Sequence, residues 1–163
     1  AIGATSTLVV ITQGQETKFT KYINIGGQRM DEAIARHMKM SLVDAASLRR
    51  HNSDRRASEQ DPDVTRTILE ATRGTVDKLT EELAMCVRGQ RIDRLVIGGG
   101  EANEWLRDTL SSRIDLPCEI GQPLRHLAGI EPAGRQSQWD LATGLALRTI
   151  KSSHSKSQPA TTA

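Results

Sequence analysis

Three short glycine-containing segments are the parts of this 163-residue sequence whose backbone could bind an anion or a nucleotide. They are residues 2–7 (IGATST), 25–31 (IGGQRMD) and 95–103 (LVIGGGEAN). Glycine has no Cβ, so a ligand can approach such a turn closely and several N–H groups can converge on a phosphate. The types and order of these residues predict a phosphate- or nucleotide-binding site.

The first and second segments each have a functional and a plain interpretation. Gly3, Ala4 and Thr5 precede an apolar β-branched run, and the hydroxyls of residues 5–7 could add hydrogen-bond donors. Gly26 and Gly27 lie between a predicted strand and a predicted helix, where N-terminal helix amides could face an anion. Alternatively, the first is a small-residue strand entry and the second is a simple connector.

The third segment is the most informative, because Gly98, Gly99 and Gly100 directly follow a short apolar strand. Three adjacent glycines cost backbone entropy, and a planar or phosphorylated ligand lying against bare backbone would account for that cost. The pattern is not GxGxxG with an acidic residue placed for a ribose, which excludes a Rossmann site. It is not GxxxxGKS either, so the sequence contains no P-loop.

Composition excludes several other functions. The formal net charge of +2 implies no strong attraction to nucleic acid or to an anionic membrane. Two Trp, one Tyr and one Phe are too few for a base-stacking platform. Cys86 and Cys118 lack metal-ligand spacing, and the four His suggest no catalytic triad, so we expect no metal site and no catalytic residue. We expect no membrane span and no secretory leader.

The remaining sequence predicts the elements that position the glycine turns. Strands are predicted over residues 6–12, 18–25, 94–97 and 118–120. Helices are predicted over residues 31–40, 41–50, 64–87, 101–114 and 138–150, with polar loops over residues 51–62 and 122–135. This order predicts an α/β fold, with a mixed sheet opened by a β-hairpin and helices on its faces. The polar segment 151–163 (KSSHSKSQPATTA) is predicted to be a disordered tail.

Together these segments resemble the second half of the actin-like ATPase superfamily, and within it the PilM and FtsA branch. Residues 2–7 resemble the second phosphate loop, residues 26–34 a GGxxxD-type helix start, and residues 95–102 the adenosine motif. The segments DLPCEI (115–120) and ATGLALR (142–148) add to the likeness, which covers about residues 1–150.

The resemblance implies a ribonuclease H-like, actin-like ATPase second domain over residues 1–150, forming the C-terminal half of a domain that binds ATP and magnesium in an interdomain cleft. Arg49 stands where filament-forming relatives have a nucleoside-contacting Lys, and could contact ribose or phosphate. The resemblance further implies that the phosphates and the adenosine are contacted by Gly3, Ala4, Thr5, Gly98, Gly99 and Gly100.

Departures from the family pattern limit what this chain is expected to do alone. Ala1 stands where the superfamily has an aspartate that positions the magnesium–water shell, and Ala46 stands where relatives have a Glu. The first phosphate loop and the catalytic Gln or Glu have no counterpart in these 163 residues. We therefore expect an excised or processed piece, inactive by itself, whose first partner is the missing N-terminal half of the same domain.

The resemblance also implies a biological setting, with alternatives. It implies a role in type IV pilus or secretion assembly, in which nucleotide tunes partner binding at the cytoplasmic face of the inner membrane. The implied partners are an inner-membrane pilus assembly protein and further copies of the chain, and not nucleic acid. One alternative is a nucleotide-free scaffold with a degenerate actin-like fold, which Ala1 and Ala46 favour. The other is half of a sugar or acetate kinase.

Overall fold

The chain folds as a mixed α/β structure, and a computed structural model describes residues 1–55, 57–125 and 136–155. Its strands are β1 (Thr7–Gln13), β2 (Glu16–Ile23), β3 (Leu95–Ile97) and β4 (Cys118–Ile120). Its α-helices are α1 (Gly27–Met38), α2 (Leu42–Asp54), α3 (Pro62–Val87), α4 (Glu104–Ile114) and α5 (Asp140–Ser155). Short 3-10 helices span Ala57–Glu59 and Gln136–Trp139.

The strands form two small sheets where the sequence predicts one mixed sheet. β1 and β2 pair antiparallel around a turn in which Gly14 has φ of 60°. β3 and β4 pair parallel. Among the described residues no strand joins β1 to β3. The two sheets are connected through Ile2 instead, which makes an isolated bridge to Thr7 and donates its amide to the Gly98 carbonyl at 2.7 Å.

Two helices begin at places set by hydrogen bonds that the sequence alone did not reveal. α1 begins at Gly27, four residues before the predicted start, because the amides of Gly27 and Gln28 find acceptors in the first glycine turn. α4 begins at Glu104 and not at residue 101, because the Asn103 side chain accepts from the Leu106 amide at 2.8 Å. Asn is a favoured residue at this capping position.

Two other helices run further than predicted. α2 continues to Asp54, and Asn52 in its last turn bonds the Thr65 hydroxyl of α3 at 3.1 Å, so residues 51–54 are not loop. α5 continues to Ser155, five residues into the predicted tail, because each residue added to an existing helix gains a backbone hydrogen bond. Residues 156–163 and most of the predicted loop 122–135 lie outside the described residues.

The buried apolar residues form two cores that share α1 and α3. The first core lies between the strands, α1, α3 and α4, and comprises Ile2, Val9, Ile23, Met30, Val76, Leu79, Leu83, Cys86, Ile97, Ala102, Leu106 and Leu110. The second core lies between α1, α2 and the start of α3, and comprises Ile34, Ala45 and Ile68, with Leu48, Val64 and Ala71 packed against it. Only the strands and α4 are confined to the first core, and only α2 is confined to the second; we call these two groups of elements the two lobes of the chain.

One face of the strands stays exposed in the described chain. Val9 and Ile97 point into the first core, whereas Val10, Tyr22 and Val96 are 46%, 67% and 50% exposed. Neighbouring strand residues point to opposite faces of a sheet, so these apolar side chains lie on the face away from the first core. The sequence predicts helices on the faces of its sheet. Within the described residues, helices of the first core cover one face of the strands.

Leu79 tests the position of the first core. Its side chain is 0% exposed in the middle of α3, whereas Met85 in the same helix is 54% exposed. We expect Leu79→Ala to lower the free energy of unfolding by about 2–5 kcal/mol, because it leaves a cavity. Met85→Ala should change it by about 0.5 kcal/mol or less. Urea unfolding followed by circular dichroism measures both, and equal losses would contradict this core.

Candidate functional site

The first and third glycine turns meet at the backbone of Ile2. The Ile2 amide donates to the Gly98 carbonyl at 2.7 Å, and the Ile2 carbonyl accepts from the Glu101 amide at 3.2 Å. The Ile2 side chain is 2% exposed, within the first core. The turn at residues 3–5, which directly follows Ile2 in sequence, therefore lies close to the turn at residues 98–100. Two segments almost a hundred residues apart in sequence lie at one edge of the fold.

The structure gives internal reasons for two of the three glycines at residues 98–100. A Cβ on Gly98 would overlap the Asp140 carboxylate, and a Cβ on Gly99 would overlap the Ile2 backbone. Gly99 also has φ of 90°, a conformation that side chains disfavour. Gly100 differs, because a Cβ there would meet nothing within 4 Å. Gly100 is thus the glycine of this turn at which a side chain would have space.

The turn at residues 3–5 is held by the start of α1. The Gly27 amide donates to the Gly3 carbonyl at 3.0 Å, and the Gln28 amide donates to the Ala4 carbonyl at 2.7 Å. The N-terminal amides of α1 are therefore already occupied and do not face an anion. Within the described part of the chain, the Ala4 amide and the amide and hydroxyl of Thr5 make no hydrogen bond, and both residues are exposed.

Arg49, the candidate for contacting ribose or phosphate, is occupied by two carboxylates. Its Nε donates to Asp31 Oδ1 at 2.6 Å and its Nη2 to Asp31 Oδ2 at 3.3 Å. Its Nη1 donates to Glu101 Oε2, and Nη2 also lies 3.5 Å from the Gly27 carbonyl. The three charged side chains are 5–9% exposed. We call Arg49, Asp31 and Glu101 the ion cluster.

The electrostatics of the ion cluster keep Arg49 charged. Burial by itself lowers the pKa of the guanidinium, but the hydrogen bonds with Asp31 and Glu101 more than reverse this, so the pKa lies above its ordinary value. The cluster contains one positive charge and two carboxylates. A ligand that drew Arg49 away would leave these carboxylates buried without their partner, which is unfavourable. The geometry therefore assigns Arg49 to the protein interior.

A cleft lies beside the ion cluster, between the two lobes of the chain. Its volume is about 1260 Å³. One wall is formed by α2 and the first half of α3, including Asn52, Ser53 and Thr65. The opposite wall is formed by β3, β4 and the start of α4, including Val96 and Asn103. Clefts of several hundred Å³ or more are the usual sites for small ligands, and this one has both apolar and polar walls.

Asp140, at the start of α5, lies against the third glycine turn. Its Oδ2 accepts from the Gly99 amide at 3.1 Å, and the Gly99 amide also donates to the Ser137 carbonyl at 2.9 Å. Burial raises the pKa of the Asp140 carboxyl, although the bond from Gly99 acts in the opposite direction. Asp140 thus brings a partly buried carboxyl group to the edge where the two turns meet.

Sequence reasoning missed three acidic residues of this region. Asp31 and Glu101 each stand within a glycine segment that the sequence singled out, so their positions were visible although their shared partner was not. Asp140 carries no such signal, because it follows the glycines by forty residues and comes near them only through the fold. Among the described residues, no group of three or more His, Cys, Asp or Glu is arranged to hold a metal ion.

Gly26 tests the contact between the first turn and α1. A Cβ there would lie 2.5 Å from the Gly3 carbonyl oxygen and 2.7 Å from that of Ala4. Because both are backbone atoms, we expect Gly26→Ala to lower the free energy of unfolding by about 1–3 kcal/mol. The matched control is Gly74→Ala in α3, where nothing lies within 4 Å and a gain of about 1 kcal/mol is expected. Urea unfolding decides, and a neutral Gly26→Ala would contradict the contact.

Substitution of Asp140 tests how burial affects the carboxyl group beside the third glycine turn. Because its folded-state pKa is raised, the native state binds this proton more readily, and the residue's contribution to stability falls as pH rises through the shifted range. We expect Asp140→Asn to stabilise the chain at neutral pH, by an amount that shrinks in acid. Asp108 is the control, since Arg107 lowers the pKa of its carboxyl. Asp108→Asn should therefore destabilise at neutral pH. Urea unfolding across a pH series measures both, and the same sign for both would contradict this assignment.

No protein-family model matches the sequence, and no curated protein matches it. Solved structures do match. A structure titled PilM-PilN type IV pilus biogenesis complex aligns with a TM-score of 0.72 and 24% identity, over 91% of this chain and 44% of that one. The ethanolamine utilization protein EutJ from Carboxydothermus hydrogenoformans aligns with a TM-score of 0.68 and 14% identity, over 90% and 47% of the two chains.

A third match is component A of (R)-2-hydroxyglutaryl-CoA dehydratase from Acidaminococcus fermentans. Its TM-score is 0.55 and its identity is 16%, over 94% of this chain and 61% of that one. The chain therefore spans less than half the length of the first two matched chains and less than two thirds of the third. At these identities the matches establish the fold, and this chain has the fold of the actin-like ATPases, as its sequence motifs predict.

Proposed function

We propose that this chain is the C-terminal half of an actin-like nucleotide-binding domain, with the ribonuclease H-like second-domain architecture. In this proposal it contributes two backbone turns to an ATP site that a second half completes. The observation that carries the proposal is the junction at Ile2, whose backbone holds the turn at residues 3–5 beside Gly98–Gly100. Two turns of this kind at one edge suit a ligand with a phosphate end and a planar end.

The residues of the first turn fit a phosphate group. Ala4 and Thr5 are exposed residues whose amides, with the Thr5 hydroxyl, make no hydrogen bond in the described chain, and several such donors in one turn can bind phosphate oxygens. The space beside Gly100, together with the cleft between the lobes, would take the nucleoside end. Arg49 is not among the proposed ligands, because the ion cluster holds it.

Magnesium fits the proposal only as an ion that arrives with the nucleotide. The described residues contain no cluster of carboxylates that would hold it directly. Magnesium in nucleotide sites usually keeps several waters and is bound through substrate phosphates. When bound, it would neutralise part of the phosphate charge, while the chain's own role would be to orient the phosphates through the turn at residues 3–5.

Two observations support the idea that a second half completes the domain. The matched PilM and EutJ chains are more than twice as long as the part that this chain covers. Apolar side chains are also exposed on the strand face away from the first core and on α5, where Leu141 is 76% exposed. Large exposed apolar areas commonly mark interaction surfaces.

The proposed biological role starts from one of the matched structures. That structure is a complex of PilM with PilN, from type IV pilus biogenesis. We accordingly propose that the protein serves a pilus or secretion assembly at the cytoplasmic face of the inner membrane, with nucleotide tuning its binding to an assembly protein. Among the described residues, no helix is both long and apolar enough to cross a membrane.

A second candidate function is a nucleotide-free scaffold with the same fold. The observation that favours it is the ion cluster, since the cation that would contact a nucleotide in this position is buried with Asp31 and Glu101. The small side chains of Ala1 and Ala46 point the same way. The two candidates differ in whether the complete protein binds ATP at all.

The first test is calorimetric titration of this chain with magnesium-ATP. We expect no binding tighter than about millimolar, because the chain offers only one side of the proposed site. The control is the same titration of the protein made from its full reading frame, which should bind far more tightly. Sub-micromolar binding by this chain alone would contradict the half-domain proposal. No binding by the full-length protein would favour the scaffold.

A variant of the full-length protein links the binding to the third turn. Gly100→Val adds a side chain where nothing within 4 Å obstructs it, so the fold should tolerate the change. The valine would, however, occupy the space proposed for the nucleoside, and affinity should fall at least about tenfold, equivalent to about 1.4 kcal/mol. Gly74→Val, at an equally open position in α3, is the matched control and should leave affinity unchanged.

A further inference from the structure

The ion cluster joins the two lobes of the chain, and its Arg49 also lines the cleft. Arg49 belongs to α2, which packs in the second core alone, and Asp31 belongs to α1, which packs in both cores. Glu101 directly follows the third glycine turn on the side of the first core. Near it, the Asn103 side chain donates to the Ser53 hydroxyl at 3.5 Å. The Arg49–Glu101 pair is therefore a direct ionic contact across the lobes.

Asp31 fixes the Arg49 side chain in the orientation in which it contacts Glu101. The two bonds to Asp31 form a planar two-point contact, which fixes the orientation of the guanidinium. Only Nη1 then extends to Glu101. Glu101 is held independently through its amide, which donates to the Ile2 carbonyl. The pair thus connects the guanidinium of Arg49, which Asp31 holds in place, to Glu101, whose backbone is bonded to Ile2 between the two glycine turns.

Stability alone does not account for such a cluster. Buried ion pairs often contribute little net free energy, because desolvation offsets the attraction, although losing one partner is costly. Their directional bonds favour a single arrangement of the elements that carry them. Here the arrangement is the separation between α2 and the third glycine turn. α2 lines the cleft on one side, and Ala102 and Asn103, which come directly after the turn, line it on the other.

We propose that Arg49 is a positioning residue: held by Asp31, it fixes the third glycine turn through Glu101 and so sets the width of the cleft between the lobes. The contact explains why Gly27 has no side chain, since a Cβ there would overlap the Glu101 carboxylate and approach Arg49 Nη2 at 2.9 Å. The effect on cleft width is independent of any ligand, and its effect on nucleotide affinity rests on the proposed function above.

The test is hydrogen–deuterium exchange of the ligand-free chain. Glu101→Ala removes the contact between the lobes and leaves the Arg49–Asp31 pair in place. We expect the amides of Glu101 and Ala102 and those at the end of α2 to exchange at least about tenfold faster, while the amides of β1 keep their rates. Asp108→Ala, which removes an exposed carboxylate from α4, should give no such local acceleration at the turn or at the end of α2.

A purely structural role would give a different pattern. If Glu101→Ala accelerates exchange equally in β1 and in the turn, or accelerates neither, the positioning role is wrong. Should Glu101→Ala fail to fold, Glu101→Gln replaces it, because its amide oxygen still accepts one bond from Arg49. It should then give a smaller local acceleration, and uniform or absent acceleration would again overturn the proposal.

Nucleotide titration of the same variants in the full-length protein separates this proposal from the proposed function. If the wild-type protein binds magnesium-ATP, Glu101→Ala should weaken binding at least about tenfold, whereas Asp108→Ala should not. Unchanged affinity in Glu101→Ala would overturn the link between the ion cluster and the site. If the wild type binds no nucleotide, the proposed function is wrong, and the exchange pattern alone decides the positioning role.

Discussion

The backbone of Ile2 is the contact on which the rest of this structure depends. On one side it bridges to Thr7 at the start of β1, and on the other its two polar groups bond Gly98 and Glu101. Since β1 and β3 are not paired directly in the described chain, this residue connects the hairpin to the parallel strands. It also places two turns that are far apart in sequence at one edge. The candidate site exists only because this backbone segment fits between them.

The sequence predicted the order of the elements, because strand and helix patterns are local properties. A shared site for the two turns followed only from the resemblance to the actin-like ATPases. The sequence could not predict why the glycines are needed. Gly98 and Gly99 give room to Asp140 and Ile2, so a pattern interpreted as a ligand signal is in large part a packing requirement. Of these three glycines, only Gly100 has open space where a Cβ would stand.

The assignment of Arg49 illustrates the same limit for charged residues. Its place in the family pattern suggested a ligand contact, but its partners lie 18 and 52 residues away in sequence. Which carboxylate reaches a given cation is decided by tertiary packing, and the burial of all three side chains follows from how α1 and α2 pack against the turn. The helix ends missed at residues 27 and 104 have a similar cause, since hydrogen bonds with folded neighbours set them.

The helix α3 runs through both cores, and this constrains how the lobes can move. Ile68 packs in the second core, and Val76 and Leu79 pack in the first, along one helix of 26 residues, about 39 Å long. Between these groups the Thr72 hydroxyl bonds the Ile68 carbonyl at 2.7 Å, a contact that tends to bend helices, and Gly74 follows with no side chain to stiffen the turn. A movement of the two cores relative to each other would therefore have to bend α3, and residues 72–74 lie where the helix passes from one core to the other.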